Sequence, residues 1–250
     1  MNKNSVAIIT GGSRGIGAAT AKLFAENGFS ICINYQDDTS SAERVKAEIL
    51  KCGVPCIIVR ADVSDEREVD ALFQRVDKEL GGLSVLVNNV GILKTQSRLE
   101  DMSAERFSEV LTTNVMSCFL CSKEAIKRMS TKQGGEGGAI INVSSGASKT
   151  GSPNEYVDYA ASKGAMDSLT RGMALEVAGE GIRVNAVRPG LIDTDIHASG
   201  GEANRIERLK SIIPLQRGGQ PSEVAESIFW LASEKSSFVT GSFIDIAGGL

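Results

Sequence analysis

A doubly wound α/β fold, a mostly parallel sheet of seven strands flanked by helices, is what this 250-residue sequence predicts. Three observations carry that expectation. Seven short apolar runs are rich in β-branched residues, longer amphipathic stretches separate them, and a glycine-rich turn links the first run to the first stretch. Strands that alternate with helices imply β-α-β units, and these place parallel strands under helices on both faces.

In chain order, the apolar runs are VAIIT (6–10), ICIN (31–34), CIIVR (56–60), LSVLVN (83–88), AIINVS (139–144), IRVNAV (182–187) and SFIDIA (242–247). Each is four to six residues long and continuous rather than alternating, the pattern of a strand buried on both faces. Helical periodicity fills 15–27, 39–51, 65–80, 103–131, 157–179 and 221–233. Asp65 and Ser222 suit helix starts, with Pro221 just ahead of the second. QGGEGG at 133–138 reads as a helix-to-strand loop. With no internal repeat, linker or low-complexity tract, residues 1–250 are expected to form one domain.

Composition excludes several classes of function. A net charge of −4 and a pI near 5.3 supply no basic field for nucleic acid or an anionic membrane. The opening MNKNSVAIIT lacks the apolar core of a signal peptide, and no run reaches a membrane-spanning length. Five cysteines include Cys118-Phe-Leu-Cys121, but no second pair follows and the one histidine, His197, is distant in sequence. Both thiols sit in an apolar helical stretch and read as packing residues. No metal site is expected, and reduced cysteines fit a cytoplasmic protein.

Two short segments carry the chemistry. TGGSRGIG (10–17) follows a strand and opens a helix. There, glycines allow close backbone approach to a phosphate, and the helix N-terminus offers free N–H groups. YVDYAASKGA (156–165) sets Tyr159 and Lys163 four apart, on one face of a helix. Tyr156 is seven before the lysine, roughly 10 Å away along a helix and too far to be its partner. A free phenol has a pKa of ~10, so a cation ~5 Å away at an effective dielectric of ~20 would lower it by about two units. Lys163 is expected to do this for Tyr159.

T-G-x-x-x-G-x-G, NNVG at 88–91, Asn114, Ser145, Y-A-A-S-K at 159–163 and RPGLIDT at 188–194 occur in register. Together they resemble the classical short-chain dehydrogenase/reductase family from Val6 to nearly the last residue. The resemblance implies a Rossmann-type sheet, a nicotinamide cofactor and a catalytic set of Asn114, Ser145, Tyr159 and Lys163. Ser144 remains an alternative to Ser145, because the stretch up to Tyr159 is one residue longer than in some relatives. The implied cofactor contacts are Gly11, Ser13, Arg14, Gly15, Ile16 and Gly17 in the turn, and Asn34 and Tyr35 at the end of the second strand. Asp62 and Val63 would hold the adenine. Asn89, Gly91, Tyr159, Lys163 and the loop residues Pro189, Gly190, Ile192 and Thr194 complete the set. Asp62 has a rival role as a helix cap, and Val90 replaces the family's usual alanine.

Tyr35 stands where NAD-preferring relatives carry an aspartate for the ribose 2′-OH. Arg14 is placed to meet a 2′-phosphate. NADP(H) is therefore expected over NAD(H), with Asp37 and Asp38 as the opposing signal. Residues 191–213, with a Gly200-Gly201 break, correspond to the family's substrate lid, and Pro153, Tyr156, Ile192 and Ile196 are candidate pocket walls. A small carbonyl or secondary alcohol is the expected substrate. Reduction of 3-oxoacyl groups on acyl carrier protein ranks second, because Glu136 and Glu180 replace arginines that would greet an acidic carrier. The family implies a homotetramer built on 103–131, 157–179 and the final strand. A catalytically inactive cofactor-binding regulator is a further rival, disfavoured by the intact catalytic set. An epimerase or dehydratase of the extended type would need a longer C-terminal region.

Overall fold

A computed structural model describes residues 5–250; the first four residues of the expected domain, the MNKN of the N-terminal reading, lie outside the described residues. Seven strands form one sheet in the order β3-β2-β1-β4-β5-β6-β7, every neighbouring pair parallel. They are β1 (Val6–Ile9), β2 (Ser30–Tyr35), β3 (Cys56–Arg60), β4 (Leu83–Asn88), β5 (Gly138–Val143), β6 (Ile182–Pro189) and β7 (Phe243–Ile246). Helices α1 (Gly15–Glu26), α2 (Thr39–Leu50), α3 (Glu66–Glu79), α4 (Ala104–Leu111) and α5 (Ser117–Met129) follow the first four strands. The short α6 (Ala147–Thr150) and the long α7 (Val157–Val177) come after β5, then α8 (Ile196–Ser199), α9 (Arg205–Leu209) and α10 (Pro221–Ala232) after β6.

The central strands carry fully buried residues on both faces, as their unbroken apolar runs require. Ile9, Ile33 and Ile141 pack on one side with Phe24, and Ile8, Leu86 and Ile140 on the other with Leu72 and Phe73. The chain reverses its direction of travel across the sheet between β1 and β4, opening a crevice at their carboxyl ends. The glycine-rich turn, the end of β4, the end of β5 and the start of α7 all meet that crevice.

The expected helix over 103–131 is interrupted. Thr112–Met116 is π-helical and separates α4 from α5, with Asn114 at its centre. A single extra residue per turn is characteristic of π segments at functional sites, and its cause here is tertiary. The Asn114 carboxamide is held by the backbone of Ile92 in the loop after β4.

Candidate active site

The glycine-rich turn is braced from two sides. Asn89 Nδ2 donates to the carbonyls of Thr10 (3.0 Å) and Gly11 (3.1 Å), while Thr10 Oγ1 accepts from Asn89 N at 3.0 Å and Val90 N at 3.2 Å. On the other side, Asn34 is buried and donates to Ala61 O at 2.9 Å, and its Oδ1 accepts from Gly11 N at 3.4 Å. The Asn34 and Asn89 side chains therefore shape the turn rather than stand in the cleft. Gly11 has φ +60°, in the left-handed region. A Cβ on Gly17 would fall on the Gly11 carbonyl oxygen and lie 2.6 Å from Asn89 Nδ2. The turn delivers the chain into α1, whose N-cap is the exposed Arg14 in extended conformation. Backbone N–H groups at a helix start beside a guanidinium suit a pyrophosphate and a further phosphate.

Tyr35 is buried, and its hydroxyl accepts from Thr39 Oγ1 at 3.3 Å. Asp38 is committed to α2, accepting from Ser41 N (2.9 Å) and Ser41 Oγ (2.6 Å). Those bonds, chiefly the one from the Ser41 side chain, hold its carboxyl below the usual range, with Arg14 and Arg44 adding to the effect. Asp62 accepts from Ser64 N at 2.9 Å and Ser64 Oγ at 2.7 Å, and from Gln36 Nε2 at 3.3 Å. The cap of α3 is Asp65, not Asp62. Asp62 instead lines a cleft of about 930 Å³ with Gln36, Asp37, Ile92 and Thr113, while Val63 is buried beside it.

At the other end, Ser145 follows β5 and Tyr159 and Lys163 occupy the first turns of α7. The Ser145 side chain lies beside Tyr159 and draws its phenol down. Ser145 Oγ also accepts from Ala147 N at 3.1 Å. Ser144 points away: its hydroxyl donates to Asp167 Oδ1 at 2.6 Å, and Asp167 in turn binds Arg188 at 2.8 Å. Of the two serines, the structure brings only Ser145 to Tyr159.

Lys163 is 2 % exposed and donates from Nζ to Val143 O at 2.7 Å. A Cβ at Gly91 would lie 3.3 Å from that Nζ, so the glycine leaves room for the amine. Burial draws the lysine down to about 8, against the upward pull of Cys118 and Asp167. The phenol departs from expectation. Burial pushes Tyr159 up to about 12, and the partner that draws it down is Ser145 rather than Lys163. The amine lies over the ring, 5.5 Å from its centroid, and gives its bond to Val143. Drawn down to about 8, it is already neutral where the phenol ionises, so its charge acts on the phenol only below about 8. Both groups are desolvated, so each favours its neutral form.

Asn114 is fully buried. Its Oδ1 accepts from Ile92 N at 2.7 Å and its Nδ2 donates to Ser162 Oγ at 3.0 Å. Ser162 donates onward to Tyr159 O at 2.7 Å, linking Asn114 to the helix turn that carries the tyrosine. Ser162 is not among the expected site residues; its place three after Tyr159, within hydrogen-bonding reach of that backbone, is the signal the sequence offers for it.

Gly190 N donates to Ile246 O at 2.9 Å, and Gly190 packs so closely on Ala247 that a Cβ would lie 2.9 Å from its Cα. Pro189 O accepts from Gly146 N at 3.0 Å, joining this loop to the Ser145 segment. Ile192 is buried and bridges to Gly219. The Thr194 methyl lies 3.2 Å from where a Cβ on Gly15 would stand, so this loop meets the glycine-rich turn. A second cavity of about 580 Å³ runs behind Gly15 and Thr194 along α1 and α10 and touches none of Ser145, Tyr159 or Lys163. Segment 191–213 folds as α8 and α9 on either side of the Gly200-Gly201 break, followed by a 3-10 turn at Lys210–Ile212. Tyr156, an expected pocket wall, is buried and donates to Gly200 O at 3.2 Å, and His197 Nε2 donates to Ile192 O at 2.9 Å. Pro153 is exposed and Ile196 half-buried.

Residues 11–250 match the family model described as Enoyl-(Acyl carrier protein) reductase. The chain belongs to the short-chain dehydrogenase/reductase family, and it is an oxidoreductase acting on CH–OH groups. It is 57% identical over 245 residues to the uncharacterized oxidoreductase YgfF of Escherichia coli strain K12, covering 98% of this chain and 99% of that one. It is 36% identical over 250 residues to 3-oxoacyl-[acyl-carrier-protein] reductase FabG of Staphylococcus aureus, covering 100% and 99%. The solved 3-ketoacyl-(acyl-carrier-protein) reductase of Brucella melitensis, complexed with NADH, superposes with a TM-score of 0.90 at 32% identity, covering 98% of this chain and 97% of that one. Among the described residues no helix is long and apolar enough to cross a membrane.

Proposed function

We propose that this chain is an NADP(H)-dependent oxidoreductase that moves hydride between the nicotinamide and a small carbonyl or secondary alcohol, with Tyr159 as acid and base. The observation that carries the reading is the meeting of Ser145, Tyr159 and Lys163 at the carboxyl end of the sheet. When bound, the cofactor supplies or accepts the hydride. The protein residues do the rest. Ser145 donates a hydrogen bond to the carbonyl oxygen, and Tyr159 gives its hydroxyl proton to the alkoxide that develops there. Below about pH 8 the Lys163 ammonium stabilises the phenolate left behind, and Asn114 is read, by family resemblance, as holding a water that returns the proton.

Preference for the 2′-phosphorylated cofactor is supported by the exposed Arg14, by a tyrosine at the end of β2, and by an Asp38 carboxylate already engaged with Ser41. Residues 191–213 are read as the substrate lid within a single domain, and the protein as a cytoplasmic homotetramer. Exposed Phe107, Met116 and Phe119 beside α4 and α5, with Leu175 and Phe238 near α7 and β7, supply apolar surface for such assembly.

A second reading, 3-oxoacyl reduction on acyl carrier protein, gains from one observation. Glu180 is neutralised by Lys132 at 3.1 Å and bonded by Ser130 at 2.6 Å, which weakens its repulsion of an acidic carrier. Glu136 remains exposed. The test is NADPH oxidation against small ketones, quinones, sugars, and acetoacetyl thioesters on carrier or on pantetheine. Turnover of free carbonyls supports the first reading, a strong preference for the carrier-bound thioester reverses the order, and no oxidation with any of them sinks both.

A further inference from the structure

One buried ion pair beside the site takes no part in hydride or proton transfer. Asp158, immediately before Tyr159, has a side chain 1% exposed and is paired with Arg106 of α4, Nε to Oδ2 at 2.7 Å. A second guanidinium nitrogen reaches Asp158 Oδ1 at 3.4 Å. The same Oδ1 accepts the backbone N–H of Tyr159 at 2.9 Å. The third guanidinium nitrogen donates to Thr95 O at 2.7 Å, in the loop between β4 and α4.

These contacts connect three parts of the site. Arg106 lies two helical turns before Asn114, and Asp158 lies in the first turn of the helix that carries Tyr159 and Lys163. Thr95 lies under the 191–213 segment: a Cβ on Gly201 would stand 3.0 Å from its methyl, and the adjacent Gln96 donates to Glu202 Oε2 at 2.8 Å. Ser97 N further donates to Glu155 O at 3.0 Å, just ahead of α7. A buried ion pair contributes little net stability compared with apolar residues of the same volume, whereas losing one partner is costly. Its directional bonds are what an apolar pair cannot replace.

We propose that Arg106 and Asp158 form a positioning pair that sets the Tyr159 phenol against Ser145 and Asn114 and holds the platform on which segment 196–202 rests. The inference rests on Tyr159 as the acid–base group. Neither residue touches substrate; both act through the backbone of Tyr159 and Thr95.

The test uses the full chain with Arg106→Met/Asp158→Leu, which removes both charges and leaves neither unpaired, and with Asp158→Asn and Arg106→Lys as conservative variants. Hydrogen exchange, cofactor binding and steady-state kinetics are read on each. In the double variant the melting temperature is expected to stay near that of the parent. Exchange should speed at least tenfold in 92–98 and 156–161 while the β-sheet stays protected. kcat should fall at least twentyfold, with the KM for NADPH within twofold. Asp158→Asn, which keeps an acceptor for Tyr159 N–H, should recover part of kcat. If the double variant does not fold, Arg106→Lys decides, with faster exchange confined to 92–98 supporting the pair. Unchanged local exchange in the folded variants, or a kcat that returns fully with stability in the double variant, overturns the proposal. A parent protein that reduces none of the carbonyls tested overturns the reading of Tyr159 as the acid–base group alone, because the exchange result still judges the pair.

Discussion

The surroundings of Tyr159 and the 191–213 segment face the same crevice but are held by different forces. Asn114, Ser162 and Lys163 are buried, and each has a hydrogen-bond partner inside the fold. The 191–213 segment is instead tied to the approach of α7 chiefly by ion pairs from Arg205 and Arg208 to Glu155, with Arg205 over the Tyr156 ring at 5.1 Å. Both arginines also pair with Glu202 inside the segment, and the buried Tyr156 hydroxyl donates to Gly200 O. Arg208 is half exposed. Buried hydrogen bonds keep their strength in salt, and exposed ion pairs are screened by it. Proton transfer and substrate access should therefore respond to different perturbations.

The largest expected effect is at the buried end. Tyr159→Phe removes the proton donor and should lower kcat by about 10³-fold, while NADPH binding measured by fluorescence stays nearly unchanged. Residual turnover above a few per cent would remove Tyr159 from the chemistry. Next is Arg14→Ala, which removes a charge-assisted contact and should raise the KM for NADPH by roughly 10- to 100-fold. The KM for NADH should hardly move, and an equal loss for both cofactors would contradict the 2′-phosphate role. The smallest effect belongs to the surface end. Raising ionic strength from about 0.05 to 0.5 M shortens the screening length severalfold. It should change the KM for the carbonyl a few-fold at constant kcat, and a salt-sensitive kcat with constant KM would invert the contrast.

The same contrast explains what is legible in the sequence. All seven strands and the long helices stand within a few residues of where periodicity puts them, because burial on both faces leaves a local record. Tyr159 and Lys163 share one turn of α7, so spacing alone can pair them. The π segment at Thr112–Met116 leaves no such trace, since Asn114 is drawn out of register by the distant Ile92 backbone. Arg106 and Asp158 are 52 positions apart and read singly as ordinary helix-surface charges. The Gly200-Gly201 break between α8 and α9 is legible as glycines in the sequence, whereas its packing beside Leu93 and Thr95 arises only in the folded chain. That Lys163 titrates before the phenol, and so does not draw down the phenol's own titration, is hidden from the sequence for a related reason. Spacing gives a distance between groups but neither the burial of both nor the Val143 carbonyl that takes the amine's hydrogen bond.

The central claim is that a buried ammonium at Lys163 sustains proton donation by Tyr159, and the pH dependence of carbonyl reduction tests it most directly. Lys163 is drawn down to about 8 while Tyr159 is pushed up to about 12, so with rising pH the lysine loses its proton first and the phenol stays protonated. Reductive kcat/KM should therefore be level below about 7 and fall towards tenfold per unit above about 8, and Lys163→Arg, which keeps its charge, should move that limb beyond about 10. A profile that stays flat to about pH 10 in the parent protein, or a limb left in place by Lys163→Arg, would contradict the account.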